Sequence, residues 1–371
     1  MGESAHRAGW LPETAVWVVL GMVSGVVKPE TDNQMISYWG YPSEEYEVIT
    51  QDGYILQINR IPHGKTSGFH SVRRPAVCLQ HGLLVTAGCW ISNPPNNSLG
   101  FLLADAGYDV WLGNDSREFW SFSCDEMAKN DLPAILDLIK KETQQKEVYF
   151  VGHSQGTTIG MSTNPKVAER IKINFALAPI SILNDLHGPT LLLAKLPDTL
   201  FKILFGEKEF FPNSFLTRFT GQDLCNREIF STICDDVLLL INGFDTINFN
   251  KVAVNTHTHT HTHALNRIMH VEHFDLVPLP SLKTLLLCST PPPYDTSKVE
   301  VPTAIWFGGK DLLSGPKDVK QLLSKLPNVI HQKFIPHYNH VDFVWGNDAY
   351  SYVYSKRIAI LSHHLENSKR I

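Results

Sequence analysis

Residues 148–160, VYFVGHSQGTTIG, place a serine at a sharp turn between a predicted buried strand and a predicted helix. The first residues are apolar, aromatic or β-branched, as in a buried strand, and small residues compatible with a helix follow the turn. A G-x-S-x-G sequence between a strand and a helix is typical of a nucleophile elbow. Gly152 and Gly156 leave room for the turn, and we expect Ser154 in strained backbone geometry with its hydroxyl exposed. The alternative is a glycine-rich turn that contains a serine by chance.

The composition of the 371 residues indicates an ordinary globular protein, with 43% hydrophobic and 19% charged residues. A chain of this length can form one large α/β domain or two smaller ones. The net charge of −5 and the absence of a basic cluster argue against nucleic acid as a partner. Six cysteines are too few for a disulfide scaffold in a chain of this size.

An apolar segment at residues 15–27 predicts a cleaved secretory signal peptide, assigned to residues 1–25. Residues 23–25 (VSG) are small enough for a cleavage site, although Arg7 is outweighed by Glu3 and Glu13. The segment is too short to span a bilayer, and no other stretch resembles a transmembrane helix. The alternative is a sequence start that is not the native one.

Predicted strands and helices alternate along the chain in two blocks, separated by residues 181–297, where the alternation lapses. In the first block we predict a hairpin at 44–61, strands at 75–80, 108–112, 148–152 and 173–179, and helices at 99–106 and 126–142. Pro133 predicts a kink or a late start in the second of these helices. In the second block we predict strands at 303–307 and 329–335, and helices at 317–325 and 349–364. This order predicts a doubly wound, mostly parallel sheet of the α/β class. The core would comprise residues 26–180 and 298–371, with residues 181–297 as an inserted cap over a lipid-binding cleft or a cap without a lipid role.

A nucleophilic serine needs a histidine base, and the base needs an acid that fixes its tautomer and stabilises the imidazolium. Asp311 follows the predicted strand 303–307 through Gly308 and Gly309, which predict a sharp turn. Asp318 is the rival acid, but its position at a helix start suits a capping or dipole role.

Four histidines compete for the role of base. His153 is excluded because its place in the elbow points it away from the hydroxyl of Ser154, and His331 lies within a strand. His337 and His340 share the loop after that strand, and we predict that His340 is the base.

Seven segments, taken together and in their order along the chain, resemble the mammalian acid lipases of the gastric and lysosomal type. They are residues 38–42 (YWGYP), 80–84 (QHGLL), 90–99 (WISNPPNNSL), 104–111 (ADAGYDVW), 152–158 (GHSQGTT), 308–313 (GGKDLL) and 338–343 (YNHVDF). The resemblance covers most of residues 30–255 and 291–360. It implies the α/β-hydrolase fold and a secreted or lysosomal glycoprotein that hydrolyses neutral lipid esters, such as triacylglycerols or cholesteryl esters.

The resemblance also implies the roles of individual residues. Ser154 would be the nucleophile, Asp311 the acid and His340 the base, with the backbone N–H groups of Leu83 and Gln155 as oxyanion donors. It further implies a disulfide between Cys225 and Cys234 and glycosylation at Asn96. We expect the thiols of Cys78, Cys89, Cys124 and Cys288 to be unpaired and mostly buried. A second glycosylation sequon begins at Asn114, without family support.

The chain departs from this family in three places. The segment after Asn114 is much shorter than in the family, and the helix after the elbow is about one turn shorter. Residues 256–263 alternate threonine and histidine, and the sequence to residue 289 does not resemble the family cap. A translated simple repeat explains this tract, whereas a histidine-rich zinc site is the alternative. Because residues 256–289 show neither apolar periodicity nor capping residues, we expect poor order there.

These observations predict a serine ester hydrolase that needs no cofactor and no metal, and that meets its substrate at a lipid–water interface. The alternative is a non-catalytic, lipid-binding secreted glycoprotein with the same fold. The intact set of Ser154, Asp311 and His340 favours the enzyme, and the missing segments favour the alternative.

Overall fold

The structure is a computed structural model that describes residues 31–66, 73–83, 85–114, 127–161, 165–181, 248 and 295–368. The predicted signal peptide, the Cys225–Cys234 pair, the tract 256–289 and nearly all of the predicted cap lie outside these residues.

The described residues form one eight-stranded sheet in the order β1-β2-β4-β3-β5-β6-β7-β8. The hairpin of β1 and β2 is antiparallel and pairs antiparallel with β4, whereas β3 to β8 are all parallel. The mostly parallel sheet that the sequence predicts is therefore confirmed. The strands are β1 (Glu44–Ile49), β2 (Ile55–Ile61), β3 (Ala76–Gln80), β4 (Asp109–Asn114), β5 (Val148–His153), β6 (Ile171–Leu177), β7 (Thr303–Gly308) and β8 (Val329–Ile335).

Eight α-helices lie in the described residues, and they cover both faces of the sheet. They are α1 (Asp32–Tyr38), α2 (Leu99–Asp105), α3 (Leu132–Thr143), α4 (Gln155–Gly160), α5 (Pro165–Ala168), α6 (Pro316–Lys325), α7 (Asp342–Trp345) and α8 (Ser355–Ser368). Within the described ranges, no helix is both long enough and apolar enough to cross a lipid bilayer.

Both faces of the sheet are packed, as the continuous apolar run of β5 predicts. All six residues of β5 are buried, and successive side chains join different clusters. Val148 and Phe150 pack with α3 and α4, whereas Tyr149 and Val151 pack with α1, α2 and α8. The strand that ends in the nucleophile elbow is therefore fixed from both sides.

Two predicted helices each begin with a π-helical turn, and the first of them starts late, as Pro133 predicts. The segment predicted as one helix at 126–142 starts with a π-helical turn, Met127–Asp131, and α3 begins only at Leu132. Pro133 is then accommodated in the first turn of α3, where its missing N–H costs no hydrogen bond. The segment predicted as one final helix at 349–364 likewise splits into a π-helical turn, Tyr350–Tyr354, and α8.

The chain order places the ends of β3 and β5 at a topological switch point. After β3 the chain moves to β4 on one side, and it returns to β5 on the other side of β3. Gln80 at the end of β3 is the register partner of Gly152 in β5. Connections that leave adjacent parallel strands in opposite directions open a crevice at the carboxyl ends of the strands. The loops after β3 and β5 meet in that crevice.

Candidate active site

Ser154 occupies the turn between β5 and α4 with φ 56° and ψ −123°, a region that residues other than glycine seldom adopt. A Cβ atom on Gly156 would lie 2.6 Å from the carbonyl oxygens of Gln80 and His81, and one on Gly152 would lie 2.6 Å from the carbonyl of Gly156. Glycine at both positions therefore lets the turn close against the end of β3, and the predicted strained elbow is confirmed.

The nucleophile candidate is more enclosed than the sequence predicts. Ser154 is only 5% exposed, because His340 lies against its hydroxyl and Gly82 of the loop after β3 approaches it. The expectation that the hydroxyl is exposed is therefore wrong, because Ser154 is buried and its hydroxyl contacts His340.

His340 lies between Ser154 and Asp311. Its Nε2 is 2.7 Å from the Oγ of Ser154, and its Nδ1 is 2.9 Å from Oδ2 and 3.1 Å from Oδ1 of Asp311. An ionised carboxylate only accepts hydrogen bonds, so Nδ1 carries the proton and Nε2 accepts the serine hydroxyl. This geometry is that of a Ser-His-Asp triad with the imidazole in the tautomer that can act as a base.

Asp311 is held in one orientation by its own loop. Its Oδ1 accepts the backbone N–H groups of Leu313 at 2.9 Å and Ser314 at 2.7 Å. The residue is 2% exposed, so water does not compete for these contacts. The carboxylate is thus aimed at His340 by backbone donors that are part of the turn between β7 and α6.

The loops of the acid and the base are in direct contact, and Gly308 and Gly309 make this possible. A Cβ atom on Gly308 would lie 2.3 Å from the carbonyl oxygen of Tyr338, and one on Gly309 would lie 2.4 Å from that of Pro336. The chain bends at residues 309–310, as predicted, but neither glycine has a positive φ, so it is the close approach of the two loops that requires glycine. The N–H of Lys310 also donates to the carbonyl of Tyr338 at 2.9 Å.

The two predicted oxyanion donors flank the same serine. Gln155 is the first residue of α4, where backbone N–H groups have no partner within the helix. Leu83 follows Gly82, whose added Cβ would lie 2.7 Å from the Cβ of Ser154. The loop after β3 therefore passes against the nucleophile, and only glycine allows that approach. The oxyanion role of Leu83 and Gln155 stays a prediction.

The other candidates for the base and the acid either contact different partners or lie elsewhere. His337 places its Nε2 3.2 Å from Oδ2 of Asp348, and the hydroxyl of Tyr338 donates to the other oxygen of that carboxylate at 2.7 Å. Asp318 lies in the first turn of α6, as expected for a dipole role. The Nε2 of His153 is 2.8 Å from the backbone carbonyl of His340 and is not directed at the serine hydroxyl.

A chain of hydrogen bonds that the sequence analysis missed joins the elbow to the acid loop. Thr157 donates its hydroxyl to the carbonyl of Ser154 at 2.6 Å and accepts the N–H of Ile180 at 3.2 Å. Ser314 donates its hydroxyl to the carbonyl of Pro179 at 2.7 Å. Residues 179–180 follow β6, so a segment between the two loops connects them. Thr157 at the start of α4 and Ser314 after Asp311 carry the hydroxyls of this chain of hydrogen bonds, and they are the sequence features from which it could have been suspected.

The remaining predicted sites are only partly within the described residues. Asn96 lies in a short 3₁₀ turn and is exposed, which is compatible with a glycan there. Cys78 and Cys89 are buried, as predicted. Cys124, Cys225, Cys234 and Cys288 lie outside the described residues, and so does the side chain of Asn114.

Comparison with known proteins agrees with this geometry. Residues 75–347 match the family model of the alpha/beta hydrolase fold, and residues 33–94 match that of the partial alpha/beta-hydrolase lipase region. The chain is 46% identical to human gastric triacylglycerol lipase over an alignment of 359 positions, covering 89% of this chain and 90% of that protein. It is 44% identical to human lipase member K over an alignment of 392 positions, covering 95% of this chain and 98% of that protein.

Solved structures show the same fold at low sequence identity. Naproxen esterase (carboxylesterase NP) from Bacillus subtilis is similar with a TM-score of 0.52 and 15% identity, covering 89% of this chain and 95% of that chain. A putative hydrolase from the same organism has a TM-score of 0.54 at 15% identity, with the same coverage of both chains. On the strength of the lipase relatives and the family models, the chain belongs to the acid lipase family of α/β-hydrolases and is a carboxylic ester hydrolase.

Proposed function

We propose that Ser154, His340 and Asp311 are the catalytic triad of this hydrolase. The observation that carries the proposal is the continuous contact from Oγ of Ser154 to Nε2 of His340 at 2.7 Å, and from Nδ1 of His340 to Oδ2 of Asp311 at 2.9 Å. The three residues come from loops after three different strands, in the chain order serine, acid, histidine, that is found in this fold.

In the first half of the reaction, Oγ of Ser154 attacks the ester carbonyl carbon while Nε2 of His340 takes the hydroxyl proton. The resulting tetrahedral oxyanion lies between the backbone N–H groups of Leu83 and Gln155, each worth about 3 kcal/mol of barrier lowering. The bond to the alcohol oxygen then breaks, and His340 returns its proton to that oxygen. The alcohol leaves and an acyl-serine ester remains.

In the second half, water attacks the acyl carbonyl and gives its proton to Nε2 of His340. The bond to Oγ of Ser154 breaks, His340 protonates Oγ, and the carboxylic acid is released. Throughout, Asp311 stays ionised and stabilises the imidazolium that forms twice per turnover. The cycle consumes one ester and one water, and it uses no cofactor.

For the substrate, we propose neutral lipid esters such as triacylglycerols or cholesteryl esters, encountered at a lipid–water interface. The relatives named gastric triacylglycerol lipase in human and cattle support the first of these, each at 46% identity. We further propose that the protein enters the secretory pathway and is secreted or lysosomal. The apolar segment at residues 15–27 and the exposed sequon asparagine Asn96 support this location.

Labelling with an active-site-directed fluorophosphonate tests the proposal. The wild-type protein should be labelled on Ser154, and the Ser154→Ala variant should not be labelled. Wild-type protein that binds lipid vesicles but neither reacts with the probe nor hydrolyses any ester in a panel of short- and long-chain esters would instead be the non-catalytic lipid-binding glycoprotein.

A further inference from the structure

His153 lies directly before the proposed nucleophile, yet the proposed reaction uses none of its atoms. Its Nε2 is 2.8 Å from the backbone carbonyl oxygen of His340, which lies 187 residues later. A carbonyl oxygen only accepts, so Nε2 carries the hydrogen and donates it. The Nδ1 atom is buried and has no hydrogen-bond partner among the described residues. The donor of His153 is thus directed at the loop that carries the base.

The two imidazole rings also pack against each other. Their centroids are 5.0 Å apart with an angle of 44° between the planes, and both residues are almost fully buried. His153 therefore supports the base in two ways, because its ring fills the space beside His340 and its N–H holds the backbone of the same residue.

The elbow and the base loop (residues 336–341) meet through two different kinds of hydrogen bond. The bond between His340 and Ser154 must break and re-form in every turnover, because its proton is the one transferred. The bond from His153 to the His340 carbonyl involves no reacting atom and can persist through the whole cycle. This bond can hold the backbone of His340 in place while its imidazole loses and regains the hydrogen bond to Ser154.

The surroundings of His153 keep it neutral while it does this. Burial, together with electrostatic repulsion from His340 in the loop after β8 and from His81 in the loop after β3, lowers the pKa of His153 to about 3. A neutral His153 adds no second positive charge beside the imidazolium that forms at His340, and it keeps one ring nitrogen as the donor.

We propose that His153 is a positioning residue for the base, and that its Nε2–H bond to the His340 carbonyl holds the base loop against the nucleophile elbow. The inference rests on the proposed function, in which His340 is the base. It assigns a role to the variable residue of the G-x-S-x-G sequence that precedes the serine.

Two substitutions at the same site separate the hydrogen bond from the packing. His153→Phe keeps a ring and removes the donor, whereas His153→Gln supplies an amide N–H at the position of Nε2. His364→Phe is the matched control, because it removes a histidine that makes a 2.8 Å contact with the hydroxyl of Tyr149, away from the triad. For each variant, kcat and KM are measured on a short-chain ester, and amide hydrogen exchange is measured for residues 337–341 of the base loop.

We expect His153→Phe to lower kcat about ten- to hundredfold with little change in KM, because a buried carbonyl loses its donor and the base is less often in place. His153→Gln should recover kcat to within a few-fold of wild type. Amide exchange in the base loop should be faster in His153→Phe and close to wild type in the other two variants.

Exchange at the wild-type rate in His153→Phe would overturn the proposal, whether or not the protein hydrolyses esters. Equal loss of kcat in His153→Phe and His153→Gln would overturn it as well, because ring shape would then matter and the donor would not. A wild-type protein without hydrolysis or fluorophosphonate labelling would overturn the proposed function, and the exchange comparison would still decide the role of His153.

Discussion

Ser314 donates its hydroxyl to the carbonyl oxygen of Pro179 at 2.7 Å, and this bond ties the loop of the acid to the segment that follows β6. The N–H of Ser314 holds Asp311, while the next residue of the segment, Ile180, donates its N–H to Thr157. Because Thr157 in turn donates to the carbonyl of Ser154, a closed path of hydrogen bonds runs from the acid to the nucleophile and back through His340.

We expect the protein to lose stability when this path is broken at Thr157. Thr157→Val removes one donor and one acceptor in a fully buried place, so we expect the free energy of unfolding to fall by about 1–3 kcal/mol. Thr157→Ser keeps the hydroxyl and should lose less. Urea unfolding of the two variants makes the comparison, and equal stability of the valine and serine variants would contradict it.

The triad predicts that its members act as one unit. Ser154→Ala and His340→Ala should each abolish ester hydrolysis, and the double variant should be no worse than either single variant. His337→Ala is the control, because His337 contacts Asp348 and is not the histidine beside Ser154. Near-full turnover in His340→Ala with loss in His337→Ala would show that the base is misassigned.

The acid is tested by a pair of amide substitutions. Asp311→Asn should lower kcat by about 10⁴-fold, because the amide no longer fixes the productive tautomer of His340. Asp318→Asn, in the first turn of α6, should retain kcat in the folded fraction. Kinetics of both variants at one pH, with folded protein quantified by circular dichroism, make the comparison. A large loss of kcat in Asp318→Asn, with none in Asp311→Asn, would show that Asp318 is the acid.

The lowered pKa of His153 predicts a pH dependence of stability. In the unfolded chain this group titrates near 6.5, and in the fold near 3, so between these values the unfolded state binds one more proton. Stability rises with pH wherever the unfolded state binds more protons. His153 therefore makes the fold less stable as the pH falls below about 6.5, by about 2 kcal/mol at pH 5.

The measurement compares urea unfolding of wild type and His153→Gln at about pH 7 and pH 5. Other histidines with lowered pKa values, such as His331 and His364, are present in both proteins and cancel. Wild type should lose about 2 kcal/mol more than the variant. Equal losses would mean that His153 titrates alike in the folded and unfolded chains.

The cysteine pair implied by the family resemblance gives a chemical test of the secretory pathway. Cys225 and Cys234 should be joined in protein from a secretory host, stabilising the fold by about 2–3 kcal/mol in the chain-entropy model. Mapping of non-reduced peptides by mass spectrometry detects the bridge. If both cysteines are found as free thiols, the predicted disulfide is wrong and the proposal that the protein is secreted loses support.

Features that depend on neighbouring residues could be predicted from the sequence. The hairpin of β1 and β2, the strained turn at Ser154 and the positions of β7 and β8 follow from local patterns of apolar residues and glycines. The π-helical turns before α3 and α8 could not be predicted, because their first residues look compatible with an ordinary helix.

Contacts between loops far apart in the chain could not be predicted from residue patterns. The bond of Ser314 to Pro179 spans 135 positions and that of His153 to His340 spans 187. Residue patterns placed both His337 and His340 in one loop, and the choice of His340 relied on chain order and position. In the structure the side chain of His337 contacts Asp348, and that of His340 contacts Ser154.

The direct pairing of β6 with β7 has a consequence for how this family can vary. Asn174 pairs with Thr303 and Leu177 with Trp306, so the long connection that leaves β6 returns to the strand beside it. The entropy of closing such a loop grows only with the logarithm of its length, about 0.6 kcal/mol for each doubling. A change in the number of residues between β6 and β7 therefore adds little closure cost to the sheet. The length of this connection can then change while β6 and β7 remain paired.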